Sequence, residues 1–151
     1  GHMLGPGQEC LAAGLLDELV LVVAPGHPWS KRRDIAPARL ADAPLLMRED
    51  GSATRRVTER ALRQAGISFR TGMELDHTEA IKQAVMAGLG VAFLSTHAVR
   101  GEVATGRLRA LRIHGMRIHR HFHVIHHEAR RLGASARAFM QALEGNALSR
   151  V

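Results

Sequence analysis

Tyrosine is absent from the 151 residues, and Trp29 with four phenylalanines makes up the whole aromatic complement. Binding of single-stranded nucleic acid draws on planar side chains that stack with bases, and this chain offers no such platform despite a net charge of +7. All but Lys31 and Lys82 of its 21 basic residues are arginines, scattered along the chain with no run of arginines longer than the pairs Arg32–Arg33, Arg55–Arg56 and Arg130–Arg131. No recognition helix is visible, so direct DNA binding by this stretch is not expected. Cysteine occurs once, as Cys10, which excludes an internal disulfide and a thiolate metal site and fits a reducing compartment. No apolar run approaches the roughly 18 residues of a membrane span. The phosphate-cradling loops GxxxxGK[ST] and GxGxxG are missing, as is the Gly-x-Ser-x-Gly elbow of a nucleophilic serine, and Gly51-Ser52-Ala53-Thr54 fits none of them. Neither catalysis nor any cofactor is implied.

The chain does have 46% apolar residues, enough for one domain with a real core. Gly1-His2-Met3 reads as a tag remnant, with the natural protein beginning elsewhere and residues 1–15 expected to form a disordered leader. Leu19 to Ala24 is a continuous apolar run ended by Pro25-Gly26, the pattern of a strand buried on both faces. Further strands are expected at Pro44–Arg48, Ser68–Leu75, Gly90–Leu94, Leu108–Ile113 and Arg120–His127. Helical spacing covers 53–64 with Gly66 as C-terminal cap. A second helix follows Asp76, with Ile81, Val85 and Leu89 as its apolar stripe, and a third spans His97–Val103. The last, Ala134–Leu143, has Ala138, Phe139, Ala142 and Leu143 on its apolar side. Strands alternating with helices predict an α/β fold, an open, mainly parallel sheet flanked by helices.

In such a sheet, ligands bind beyond the carboxyl ends of the strands, where helix N-termini point. Three of these junctions carry small hydroxyl residues: Gly51, Ser52 and Thr54; His77 and Thr78; Ser95, Thr96 and His97. Free amides and the positive end of a helix dipole suit a carboxylate or phosphate oxygen. Taken singly, Ser52, Thr78 and Ser95 or Thr96 read as ordinary helix caps. Three on one edge point to a shared anion-tolerant rim.

The tract His119, His121, His123, His126 and His127 has two readings. Alternate histidines on a strand can hold zinc, copper or nickel if a third ligand converges. A half-exposed strand with Phe122, Val124 and Ile125 facing inward requires the same pattern, and this is the preferred reading.

Several strings carry a family likeness. Asp17 to Trp29, Leu40 to Leu46, Arg48 to Arg55 and above all Glu79 to Ser95 resemble LysR-type transcription regulators, in order and spacing from about Leu16 to Leu143. The resemblance implies a periplasmic-binding-protein-like (type 2) fold of two α/β subdomains joined by two crossover strands, with the effector between them. On that view residues 16–128 are the second regulatory subdomain, and 129–151 hold a closing helix that packs on an absent first subdomain. It also implies a cytoplasmic sensor of a small anionic metabolite, a homo-oligomer that reaches DNA only through an absent N-terminal helix-turn-helix domain, with no membrane contact. Ser52, Thr54 and Thr78 fall inside the matched motifs. The alternative is a stand-alone solute-binding protein of the same fold, which predicts a signal peptide in the natural gene. Loss of a packing partner for the last helix predicts self-association.

Overall fold

A computed structural model describes residue 6 and residues 8–127 and 130–148. The chain forms two compact units, residues 17–120 and a smaller one of residues 1–16 with 121–151.

The larger unit is a sheet with helices on both faces. Strand β1 (Gln8–Val23) runs into it, followed by β2 (Asp34–Ile35), a 3-10 turn (Pro37–Asp42), β3 (Pro44–Arg48), α1 (Ala53–Gln64), β4 (Arg70–Leu75), α2 (Thr78–Met86), β5 (Ala92–Ser95), α3 (Thr96–Ala104), β6 (Arg109–Ile113) and the start of β7 (Ile118–His127). β4 pairs with β3 and β2 with β6, both parallel, and β1 pairs antiparallel with β5 and β6. A parallel bridge, Leu45 to Val91, joins β3 to β5 through Leu46 N–H to Val91 O (2.8 Å) and Val91 N–H to Pro44 O (3.0 Å). β2 to β6 therefore share one direction and β1 runs against them. The mainly parallel sheet holds, with β1 the exception to the crossover pattern.

β1 is apolar on both sides because both sides are covered. Leu19, Leu21 and Val23 pack with Trp29, Leu45, Leu62, Phe93 and Leu111, whereas Val20 and Val22 pack with Leu46, Ile81, Val85, Leu94 and Val99. α1 thus covers one face, and α2 and α3 the other. The glycines expected to close helices, Gly66, Gly88 and Gly106, have φ of 66°, 78° and 74°. This left-handed conformation costs little only without a Cβ. Because α2 stops at Met86, Leu89 lies beyond the helix and is exposed, which corrects its assignment to the buried stripe.

The smaller unit holds the first half of β1, the second half of β7 and α4 (Ala134–Leu148). Residues 8–15 belong to β1, which corrects their reading as a disordered leader, and Cys10 lies in that strand. The expected inward face of the histidine tract is also corrected. Phe122 and Ile125 are exposed and Val124 is half-buried, alongside exposed His119, His121, His123 and His127 and half-buried His126. Phe139 is 62% exposed. Among the described residues, no three His, Cys, Asp or Glu side chains converge as a metal site, and no helix is long and apolar enough to cross a membrane.

Candidate functional site

Shared direction puts the carboxyl ends of β3, β4 and β5 on one edge, where α1, α2 and α3 begin. Antiparallel β1 brings its entry to the same edge, with Leu19 opposite Ser95. The three hydroxyl-bearing junctions therefore share a rim.

The junction at α1 is a tight turn. Gly51 has φ 86°, its N–H donates to Asp50 Oδ1 (2.9 Å), and its carbonyl accepts from Arg56 Nη1. Ser52 is the N-cap residue, yet its side chain makes no capping bond, and it is half-buried. Thr54 Oγ1 accepts from Arg120 Nη1 at 2.9 Å. At α2 the cap is an exposed His77, whose ring Nε2 lies 3.8 Å from Asp76, and Thr78 is the first helical residue. Thr78 Oγ1 accepts from Arg48 Nη1 at 3.0 Å. At α3, Ser95 does cap, its Oγ accepting from His97 N–H at 3.2 Å while donating to Asp17 Oδ1 at 2.6 Å. Thr96 is half-buried, and exposed His97 meets Arg100 across 3.2 Å. The capping account is thus met in full at Ser95 alone. Thr54 and Thr78 are engaged by arginines.

Charged residues that sequence reasoning passed over organise the rim. Asp17 is fully buried and pairs with Arg120 Nε at 2.7 Å, so Ser95, Asp17, Arg120 and Thr54 form one chain of hydrogen bonds. Arg48 holds both carboxylate oxygens of Glu49, at 2.7 and 2.9 Å. That fork holds the Glu49 carboxyl below its ordinary range and, with help from Asp76, raises the Arg48 pKa. Arg55 closes the turn from behind, donating to the Arg48 carbonyl (3.1 Å) and pairing with Glu59 and Glu74. One signal was present in the sequence: Asp17-Glu18 abuts a wholly apolar strand, where an unpaired carboxylate would be costly.

Below the rim, Lys82 ties α2 to α3. It is buried, with Nζ 2.8 Å from both Glu102 and Glu79 and 3.3 Å from the Ala98 carbonyl. Glu102 first, then Glu79, raises the lysine pKa, and the lysine lowers both carboxyls.

Residues 9–147 match the family model of the LysR substrate binding domain. The HTH-type transcriptional regulator CbbR of Xanthobacter flavus is 45% identical over 142 residues, which cover 92% of this chain and 43% of that protein. The RuBisCO operon transcriptional regulator of Acidithiobacillus ferrooxidans is 38% identical over 125 residues, covering 83% of this chain and 40% of that protein. The chain thus spans about two fifths of these curated relatives. Among solved structures, the regulatory domain of CcmR from Synechocystis PCC6803, in complex with 2-PG, superposes with a TM-score of 0.78 at 29% identity, covering 91% of this chain and 65% of that one. The chain belongs to the family of LysR substrate-binding domains.

Proposed function

We propose that this chain is the effector-sensing part of a LysR-type transcription regulator and that a small anionic metabolite docks on the rim formed by Gly51, Ser52, Thr54, His77, Thr78, Ser95, Thr96 and His97. One observation carries the reading: three hydroxyl-bearing helix starts converge on a single sheet edge with two arginines behind them. The helix dipoles and the amides ahead of each first intrahelical bond favour an anion there. The complex of the Synechocystis neighbour with 2-PG supports a small-molecule effector. Relatives named for the RuBisCO operon support genes of that kind as targets.

In this reading the protein is not an enzyme. It works in the cytoplasm as a homo-oligomer and reaches DNA through a helix-turn-helix segment outside this chain. Residues 16–128 act as one jaw, and the helix in 129–151 belongs with the other. Effector binding shifts the population of a closed form through its higher affinity for that form. Titration calorimetry of 2-PG into the regulator that carries this chain, and into its Thr54→Ala and Thr78→Ala variants, tests the reading. Loss of affinity of about ten-fold in each is expected for a hydrogen bond to a charged ligand, and unchanged affinity in both refutes it.

A further inference from the structure

The rim hydroxyls differ in what they can still do, because each already has a partner whose hydrogen-bonding capacity is fixed. Arginine has donors only, whereas a hydroxyl has one proton and two lone pairs. Thr54 Oγ1 faces Arg120 Nη1 and Thr78 Oγ1 faces Arg48 Nη1, so both hydroxyls must accept there, and their protons turn away toward another acceptor. Ser95 is wired in the opposite sense. Its proton is committed to Asp17 Oδ1 at 2.6 Å, and a lone pair is taken by His97 N–H. The guanidinium groups themselves are neutralised and held, Arg120 by buried Asp17 and Arg48 by both oxygens of Glu49.

On the effector reading above, we infer that Arg48 and Arg120 are positioning residues that present the Thr78 and Thr54 hydroxyls as proton donors to the bound anion. Asp17 fixes Arg120 for this task, and Ser95 serves by orienting Asp17. The arginines act through the hydroxyls, not as direct counterions, because their charge is already matched. Recognition of the acid group then depends on hydrogen-bond geometry, since each cation brings its own carboxylate.

Double-mutant cycles read this directly. 2-PG and, separately, inorganic phosphate are titrated into the regulator that carries this chain, and binding is followed by the NMR shifts of the Thr54 and Thr78 amides. Thr78→Val and Arg48→Met are each expected to weaken 2-PG about ten-fold, with the double variant no worse than the singles. Arg48→Lys, which keeps a donor, recovers part of the loss. Thr54→Val with Arg120→Lys is expected to be no worse than Thr54→Val alone, while the cross-pair Thr54→Val with Arg48→Met multiplies to about a hundred-fold. If a buried Asp17 without its two-pronged partner prevents folding of Arg120→Lys, the half-exposed Arg48–Thr78 pair decides alone. Multiplying effects within a pair overturn the positioning role but leave the effector site standing. A wild-type regulator whose rim amides respond to neither probe at millimolar concentration overturns both.

Discussion

Asp17 and Arg120, the first and last residues of the larger unit, are joined by a 2.7 Å ion pair although 103 positions separate them in sequence. The chain enters and leaves this unit through one buried contact. Taking a charge out of water is costly unless its partner is kept, and removing one member of such a pair commonly costs about 3–5 kcal/mol. Arg120→Met, which strands the Asp17 carboxylate, is expected to lose about that much in urea unfolding. Asp17→Leu/Arg120→Met recovers at least half of it. A single variant within about 1 kcal/mol of wild type, the range of a solvent-exposed pair, shows that the contact carries little.

Gly90 sets the join between the two halves of the sheet. A Cβ there would lie 2.5 Å from the Pro44 carbonyl oxygen and 2.8 Å from Leu46 Cδ2, and that same carbonyl accepts from Val91. Gly90→Ala therefore pushes β5 off β3 and is expected to cost about 1–3 kcal/mol, as overpacking does. Gly26→Ala, whose Cβ meets nothing within 4 Å, is the control. Equal melting temperatures for the two variants contradict the close approach.

How far the sequence could be read follows from the range of each interaction. Local signals carried well: β3 and the bounds of α1 fall where spacing and Gly66 put them, and the unbroken run Leu19–Ala24 is a strand covered on both faces. β2 escaped notice because two residues carry no period. The reversed direction of β1 is fixed by its partners β5 and β6, far along the chain, and no local pattern encodes it. The rim hydroxyls were legible because helix starts prefer such residues. Their wiring was not, because Ser95 and Asp17 are 78 positions apart and Thr54 and Arg120 are 66 apart. Among scattered arginines, nothing local marks Arg48 and Arg120 as different from the rest.

Acid is expected to weaken the fold in two stages. Burial lowers the His27 pKa, and Nδ1 of this ring accepts from Trp29 N–H at 3.2 Å, so the folded state favours the neutral ring. Its contribution is present above the ordinary histidine range and is lost as pH falls through it. Glu18, held by Arg112, and Glu102, held by Lys82, are also lowered, so their contribution is lost only as pH drops below the ordinary carboxylate range. Lys82 is raised, and its contribution persists until pH climbs past the usual lysine range. Melting followed by Trp29 fluorescence should therefore be flat in mild alkali, step down as pH falls through the ordinary histidine range and fall further below the ordinary carboxylate range. His27→Asn removes the first step alone. A step that survives in this variant assigns it to another group.

Self-association should reside in the smaller unit. Four of the exposed large apolar side chains lie there: Leu16 at 55%, Phe122 and Ile125 at 47% each, and Phe139 at 62%. Single exposed apolar residues are normal, but this many in so few elements leaves area that water solvates poorly. Covering several such side chains together favours association of copies. Light scattering across the micromolar range is expected to find dimers or larger species. Phe139→Ser with Phe122→Ser should shift the mass toward the monomer by about ten-fold in concentration. The larger unit keeps its own core throughout, so the near-ultraviolet signal of Trp29 stays unchanged in the variant. A wild-type chain that stays monomeric over the same range rules out association through these side chains.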